Sequence, residues 1–392
     1  MGAGLAQRPF RTGGRSAIPP VQFKTNTLRK TPASSDLMKR RAFLTRSLSF
    51  ATAASGLAIA GPAGWSMAST TLGHRVLDLE LFDAGRQRAV PLRLYLPLQA
   101  TSAQPVPLIV FSHGLGGSRM GYSYLGRHWA NAGMASLHTQ HVGSDNRVWQ
   151  GNPLFLLQRL QTAALESEAL ARALDVRFAL DHILGSEQAE LFDAGKIAVA
   201  GHSYGANTAM LVAGARVNAG SAYVGELGDR RIRAAILISA PPLQGQGPAP
   251  ETLGSVSVPT LHITSLEDTI NLPGYRSTVE DRIVIFDAMA KSPRTLAVYN
   301  AGGHSIFTDR TTRSGPEASA RIKGATQELC TIFLRQSLQF GHTQVNAERL
   351  GDHSAMESKP AALPDAPEGP HAILQWAYRH QGLLDRFVTP KT

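Results

Sequence analysis

Gly201-His202-Ser203-Tyr204-Gly205 sets a serine between two glycines, directly after the apolar run Lys196 to Ala200 and before the Ala-rich, helically spaced run Ala206 to Ala215. A serine at a sharp turn from strand to helix is held in a strained backbone with its hydroxyl presented outward. Only small neighbours let the chain pass through such a turn. The helix start contributes free amides and a dipole that favours developing negative charge. In that setting the pattern predicts a nucleophile, Ser203. The bland reading is an ordinary glycine-rich turn, since G-x-S-x-G alone recurs by chance.

A serine hydroxyl is a weak nucleophile near neutral pH, so a base must lie within hydrogen-bond reach and a carboxylate must orient that base. Around an elbow of this kind the order along the chain is serine, acid, histidine. His304, in Asn300-Ala301-Gly302-Gly303-His304-Ser305, follows the apolar run Thr295 to Tyr299 and is the expected general base. Of the 13 histidines, His202 is expected to point away from the reacting hydroxyl, and His262 reads as a core residue within a strand. His353 and His371 lack the strand-end setting. The acid is expected just after the run Pro259 to Thr264, where Asp268 is the choice and its neighbour Glu267 stays open as the alternative. Asp281 and Asp287 fall on the helix that follows.

Acyl transfer passes through an oxyanion, which preorganised amides stabilise. The amide of Tyr204, next after the nucleophile, is one expected donor. The other is Leu115, in the glycine-rich loop His113-Gly114-Leu115-Gly116-Gly117. A phosphate-cradling role for that loop fails on detail: no Gly-Lys-Ser/Thr follows, and the spacing is not G-x-G-x-x-G with a well-placed acid. Neither H-E-x-x-H nor a Cys-His cluster occurs, and His138 and His141 have no third ligand nearby, so both read as structural. No metal and no cofactor are expected.

These groups need strands to carry them. Short β-rich runs alternate with longer helical patterns, which is the mark of an α/β protein with a mostly parallel sheet flanked by helices on both faces. Val76 to Phe82 and Leu92 to Leu96 read as an antiparallel edge. Pro107 to Ser112, Ala135 to Thr139, Lys196 to Ala200, Ala234 to Ser239, Pro259 to Thr264 and Thr295 to Tyr299 read as buried strands, being apolar almost throughout. Helices are predicted over Met120 to Asn131, Ala163 to Leu184, Ala206 to Ala215, Asp281 to Ala290, Pro316 to Leu338 and His371 to Leu384. Gly143 to Leu160 and Gln244 to Val256 are long connections of the kind that carry function or move. Within the first, the apolar stretch Val148 to Leu157 reads as plain packing, with a lid or acyl-binding wall as the alternative. The polar, Pro-rich stretch from about Gly341 to Gly369 reads as a loose crossing.

His113-Gly114-Leu115-Gly116-Gly117, Gly201-His202-Ser203-Tyr204-Gly205, Leu266-Glu267-Asp268 and Gly303-His304 together resemble the α/β-hydrolase superfamily. The loop Phe111 to Ser118 is most similar to the platelet-activating-factor acetylhydrolase, chlorophyllase and polyester hydrolase group. The resemblance spans Val76 to Leu338 and implies ester hydrolysis without a cofactor, on a small-molecule, lipid or polymer ester. Related dienelactone hydrolases use a cysteine nucleophile, and the serine here sets the chain apart from them. A serine peptidase on the same fold, and a non-catalytic ligand-binding homologue, are the alternatives.

The net charge of +10 would suggest a polyanion partner, but residues 1–68 hold ten Lys and Arg against one acid, Asp36. What remains is 29 basic against 28 acidic residues, so the body has no electrostatic reason to seek nucleic acid. Lys39-Arg40-Arg41-Ala42-Phe43-Leu44 resembles the twin-arginine export signature, followed by a mild apolar stretch and the A-x-A-like site Ser66-Met67-Ala68. Residues 1–37 read as an over-extended start and 38–68 as a signal peptide engaging the twin-arginine machinery, leaving one domain over 69–392. The expected location is periplasmic or secreted, with no stable membrane span in the mature protein. Cys330 is the only cysteine, so no intramolecular disulfide forms and stability must come from core packing.

Overall fold

The computed structural model describes residues 73–217, 227–272, 274–310, 315–339, 369 and 371–390. The expected signal peptide with its cleavage site, and most of the Pro-rich crossing, lie outside these residues. All of the described residues fall in one unit, Met67–Thr392.

Eleven strands are present among them: β1 His74–Asp83, β2 Arg88–Pro97, β3 Val106–Ser112, β4 Ala135–Thr139, β5 Phe192–His202, β6 Ile232–Ile238, β7 Thr260–Ser265, β8 Ile270–Leu272, β9 Tyr275–Ser277, β10 Arg294–Tyr299 and β11 Leu384–Val388. Nine build one sheet in the order β1-β2-β4-β3-β5-β6-β7-β10-β11. From β4 to β10 every neighbour is parallel, while β1, β2 and β11 pair antiparallel at the two edges. Eight helices lie among the described residues: α1 Ser123–Asn131, α2 Leu156–Ala163, α3 Glu166–Leu184, α4 Tyr204–Val212, α5 Ala249–Leu253, α6 Val279–Ala288, α7 Pro316–Ser337 and α8 Ala372–Arg379.

The alternation of side chains along each central strand divides the core in two. Leu108 and Val110 of β3 and Ile197 and Val199 of β5 face one cluster, with Val176 and Leu180 of α3 and Ala209 and Met210 of α4. Ile109 and Phe111, with Ala198 and Ala200, face the other, which is filled by Trp129 of α1, Leu329 and Phe333 of α7 and Trp376 of α8. Strands β3, β4 and β7 are buried along their whole length, with Ser136, His138 and Thr139 of β4 and Thr260, His262, Thr264 and Ser265 of β7 buried beside the apolar side chains. Each fully buried Leu, Ile or Phe contributes roughly 1.5–3 kcal/mol, so these two layers fix the sheet without any disulfide. Cys330 is one of the buried side chains of the second cluster.

Two helix predictions are corrected. The predicted helix Ala163 to Leu184 breaks at Leu165, whose backbone is extended, and α2 begins earlier, at Leu156. No glycine or proline marks that break. The last predicted helix stops at Arg379, and Leu384–Val388 forms edge strand β11 on β10. Its half-exposed, mixed sequence carries no clear period of two. Ile270–Leu272 and Tyr275–Ser277, for which no element is predicted, pair antiparallel as β8 and β9. The connection Gln244 to Val256 contains α5.

Candidate active site

The parallel order aims the carboxyl ends of β3, β5, β7 and β10 at the same edge of the sheet, where open α/β folds bind their ligands. Ser112 of β3 lies beside Gly201 of β5, and Ser265 of β7 beside Tyr299 of β10. The four expected sequence segments are the loops that leave these four ends.

Ser203 sits between β5 and α4 with φ 55° and ψ −124°, a left-handed conformation that a residue with a side chain rarely adopts. Its amide donates to the Ile238 carbonyl at 2.9 Å, which anchors the elbow to β6. A Cβ on Gly201 would collide with the backbone of Gly205, and one on Gly205 with the carbonyls of Ser112 and His113. The glycines are therefore demanded by the crossing of β5, α4 and β3. Gly205→Ala is expected to cost on the order of 4 kcal/mol or more, because rigid backbone must move, and to leave little soluble protein. A urea midpoint within about 0.5 M of the parent would contradict that account, at a typical m value for urea.

His304 follows Gly303 in a short 3-10 turn. Its Nε2 lies 2.8 Å from Ser203 Oγ and its Nδ1 2.7 Å from Asp268 Oδ1. Asp268 is fully buried, whereas Glu267 is exposed, so Asp268 is the carboxylate of the two that contacts His304. Its second oxygen accepts from Thr264 Oγ1 at 2.7 Å, and Arg282 of α6 reaches both oxygens at 3.3 and 3.4 Å. Burial alone would raise the Asp268 carboxyl. The hydrogen bond and charge of His304, then Arg282 and Thr264, outweigh it and hold the group well below the usual carboxylate range. Ser265 donates its hydroxyl to the Gly302 carbonyl, tying the acid loop to the histidine loop.

His202 does not simply point away from the site. Its ring lies 4.8 Å from that of His304, and its Nε2 donates to the His304 carbonyl at 3.0 Å. Tyr122 donates its hydroxyl to His202 Nδ1 at 2.8 Å. Burial, and after it the charge of His304, push His202 down to about 3, so it stays neutral and serves as a fixed support for the histidine loop. His262 is buried and bonded to Thr260, and His138 to Gly121 and Ser136, both within the structure. Arg282, Thr264 and Tyr122 are site residues that sequence reasoning missed. Thr264, four residues before Asp268 at the strand end, was within reach of it; the other two come from distant elements.

In the loop after β3, the Gly116 amide donates to the Ser144 carbonyl and the Gly117 amide to the Gly114 carbonyl, each at 2.9 Å. The amides of Leu115 and Tyr204 meet no acceptor among the described residues. Trp149 covers this loop, its indole N–H donating to the Gly116 carbonyl at 2.8 Å. The stretch Val148 to Leu157, expected to be packing, is largely outside the core: Leu154 is 86% exposed and Phe155 55%. Only Val148 is buried, because short 3-10 turns and α2 lay the segment over the surface. Among the described residues no three His, Cys, Asp or Glu side chains are grouped to hold a metal ion, and no helix is long and apolar enough to cross a membrane.

Residues 79–146 match the family described as platelet-activating factor acetylhydrolase, isoform II, a span that holds the Leu115 loop and ends before Ser203. No curated protein matches the chain. Among solved structures, a ferulic acid esterase from Streptomyces cinnamoneus is similar at 22% identity, with a TM-score of 0.50, over 72% of this chain and 95% of that one. The fold is the α/β-hydrolase fold. Its nine-stranded, mostly parallel sheet carries helices on both faces, and the loops at its carboxyl edge bring Ser203, His304 and Asp268 into one hydrogen-bonded line.

Proposed function

We propose that this chain is a serine hydrolase that cleaves carboxylic esters through an acyl-enzyme. The observation that carries the reading is the line Ser203 Oγ, His304, Asp268, with successive distances of 2.8 and 2.7 Å, beside two free amides. Asp268 holds the His304 Nδ1 proton, which leaves Nε2 free to take the proton of Ser203 as its oxygen attacks the ester carbonyl. The amides of Leu115 and Tyr204 receive the oxyanion. His304 then returns the proton to the departing alkoxide, and water repeats the sequence on the acyl-enzyme.

The match to an acetylhydrolase family and the likeness to a ferulic acid esterase support an ester, and half-exposed Trp149, which covers the Leu115 loop, suits an acyl or alcohol group with apolar surface. The basic leader supports export by the twin-arginine route to the periplasm or beyond. The test is reaction of the mature protein with a fluorophosphonate, peptide mapping, and turnover of p-nitrophenyl esters from acetate to dodecanoate beside a peptide anilide. Label on Ser203 with ester turnover well above amide turnover is the expected result. Folded protein that takes no label and turns over no ester sinks the reading.

A further inference from the structure

Arg172 of α3 is fully buried and takes part in none of the steps above. Its guanidinium lies 4.5 Å from the centre of the Tyr204 ring. Nε donates to Thr208 Oγ1 at 3.0 Å and one terminal nitrogen to Ser144 Oγ at 2.8 Å. The other donates to Ser112 Oγ at 3.1 Å and to the His113 carbonyl. These partners belong to three separate segments: the end of β3 leading into the Leu115 loop, the first turns of α4 behind Tyr204, and the connection whose Ser144 carbonyl holds the Gly116 amide.

The contacts continue into a closed circuit. Ser112 donates to His141 Nε2 at 2.9 Å, and His141 Nδ1 donates to Asp175 at 3.0 Å. Ser144 donates to Glu168 at 2.8 Å, and Arg88 binds both Glu168 and Asp175. The two carboxylates are thus neutralised from the far side. Among the described residues none touches Arg172 directly, and burial pushes its guanidinium down to about 10. Stability gives little reason to keep a cation here, since an apolar side chain of similar size would avoid the desolvation cost. A planar fork that joins three backbone segments is what arginine offers and lysine does not.

We infer that Arg172 is a positioning residue that fixes the Leu115 loop against the start of α4, so that the Leu115 and Tyr204 amides converge on one oxyanion. The inference rests on the esterase reading. It is tested with Arg172→Lys, Thr208→Val and Ser144→Ala by measuring kcat, KM and the affinity of a trifluoromethyl ketone analogue of the preferred ester, whose adduct bears the same oxyanion. Arg172→Lys is expected to lower kcat by about tenfold to a hundredfold, somewhat less than outright loss of an oxyanion donor, with KM within about threefold. The ketone should weaken in step with kcat/KM, and the two milder variants should follow the same line with losses of a fewfold. An effect confined to KM, or a fall in kcat with unchanged ketone affinity, overturns the inference. If Arg172→Lys does not fold, the milder pair decides: unchanged ketone affinity in both overturns it. Wild-type protein without ester turnover fails the esterase reading itself, which is a different result from an active enzyme indifferent to these substitutions.

Discussion

Alanine at position 203 is expected to lower kcat on p-nitrophenyl butyrate by about a millionfold, the scale seen when the nucleophile of a serine hydrolase is removed. KM should move by only a fewfold, because the surfaces that hold the ester in its ground state are untouched. The same substitution separates strain from chemistry. Ser203 adopts φ 55° and ψ −124°, and alanine carries the same Cβ into that conformation, whereas glycine enters it freely. Ser203→Gly should therefore be as inactive as Ser203→Ala yet more stable than it by on the order of 1 kcal/mol, the size of such local backbone strain. Urea denaturation of the two inactive variants measures the difference. Equal midpoints would mean that the elbow stores no strain in its side chain's position.

The parts of this molecule that were legible in the sequence share a physical cause. Strands β3, β5, β6 and β10 carry apolar runs because both faces are covered, and turns bound them, while β4 and β7 set buried Ser, Thr and His among their apolar residues. Once those strands are placed, Ser203, Asp268 and His304 fall at their carboxyl ends by count alone. The side chains that hold these groups were not legible. Arg282 reaches Asp268 from 14 residues away, Tyr122 reaches His202 from 80, and Arg172 reaches His113 from 59. Such contacts depend on how helices lie across the sheet, which local spacing does not encode. Edge strand β11 was missed for the opposite reason: half-exposed, it has no buried face to impose a pattern. The exposed stretch around Leu154 and Phe155 shows that an apolar composition does not by itself put a segment in the core.

Asp268→Asn is expected to lower kcat by about a thousandfold to ten-thousandfold while leaving Ser203 and His304 in place. The amide can offer an N–H to His304 Nδ1, which favours the tautomer with its proton on Nε2, and that nitrogen then cannot accept the proton of Ser203. The substitution also leaves Arg282, with a side chain only 3% exposed, without its buried partner, since its remaining carboxylate, Asp281, is 3.9 Å away. Loss of one member of a buried pair costs up to about 3 kcal/mol where the geometry is as loose as this. The pH dependence fixes the sign. Asp268 is held well below the carboxylate range in the folded chain and returns to about 3.9 when unfolded, so its stabilisation is complete above roughly pH 5. It fades as the pH falls below about 4 toward the folded value, because the unfolded chain then binds the proton that the native state refuses. The stability curves of the parent and Asp268→Asn, followed by urea denaturation, should therefore stand apart at neutral pH and converge in acid. Parallel curves over that range would remove Asp268 as the source of the difference. Turnover within tenfold of the parent, with Glu267→Gln inactive, would transfer the role to Glu267.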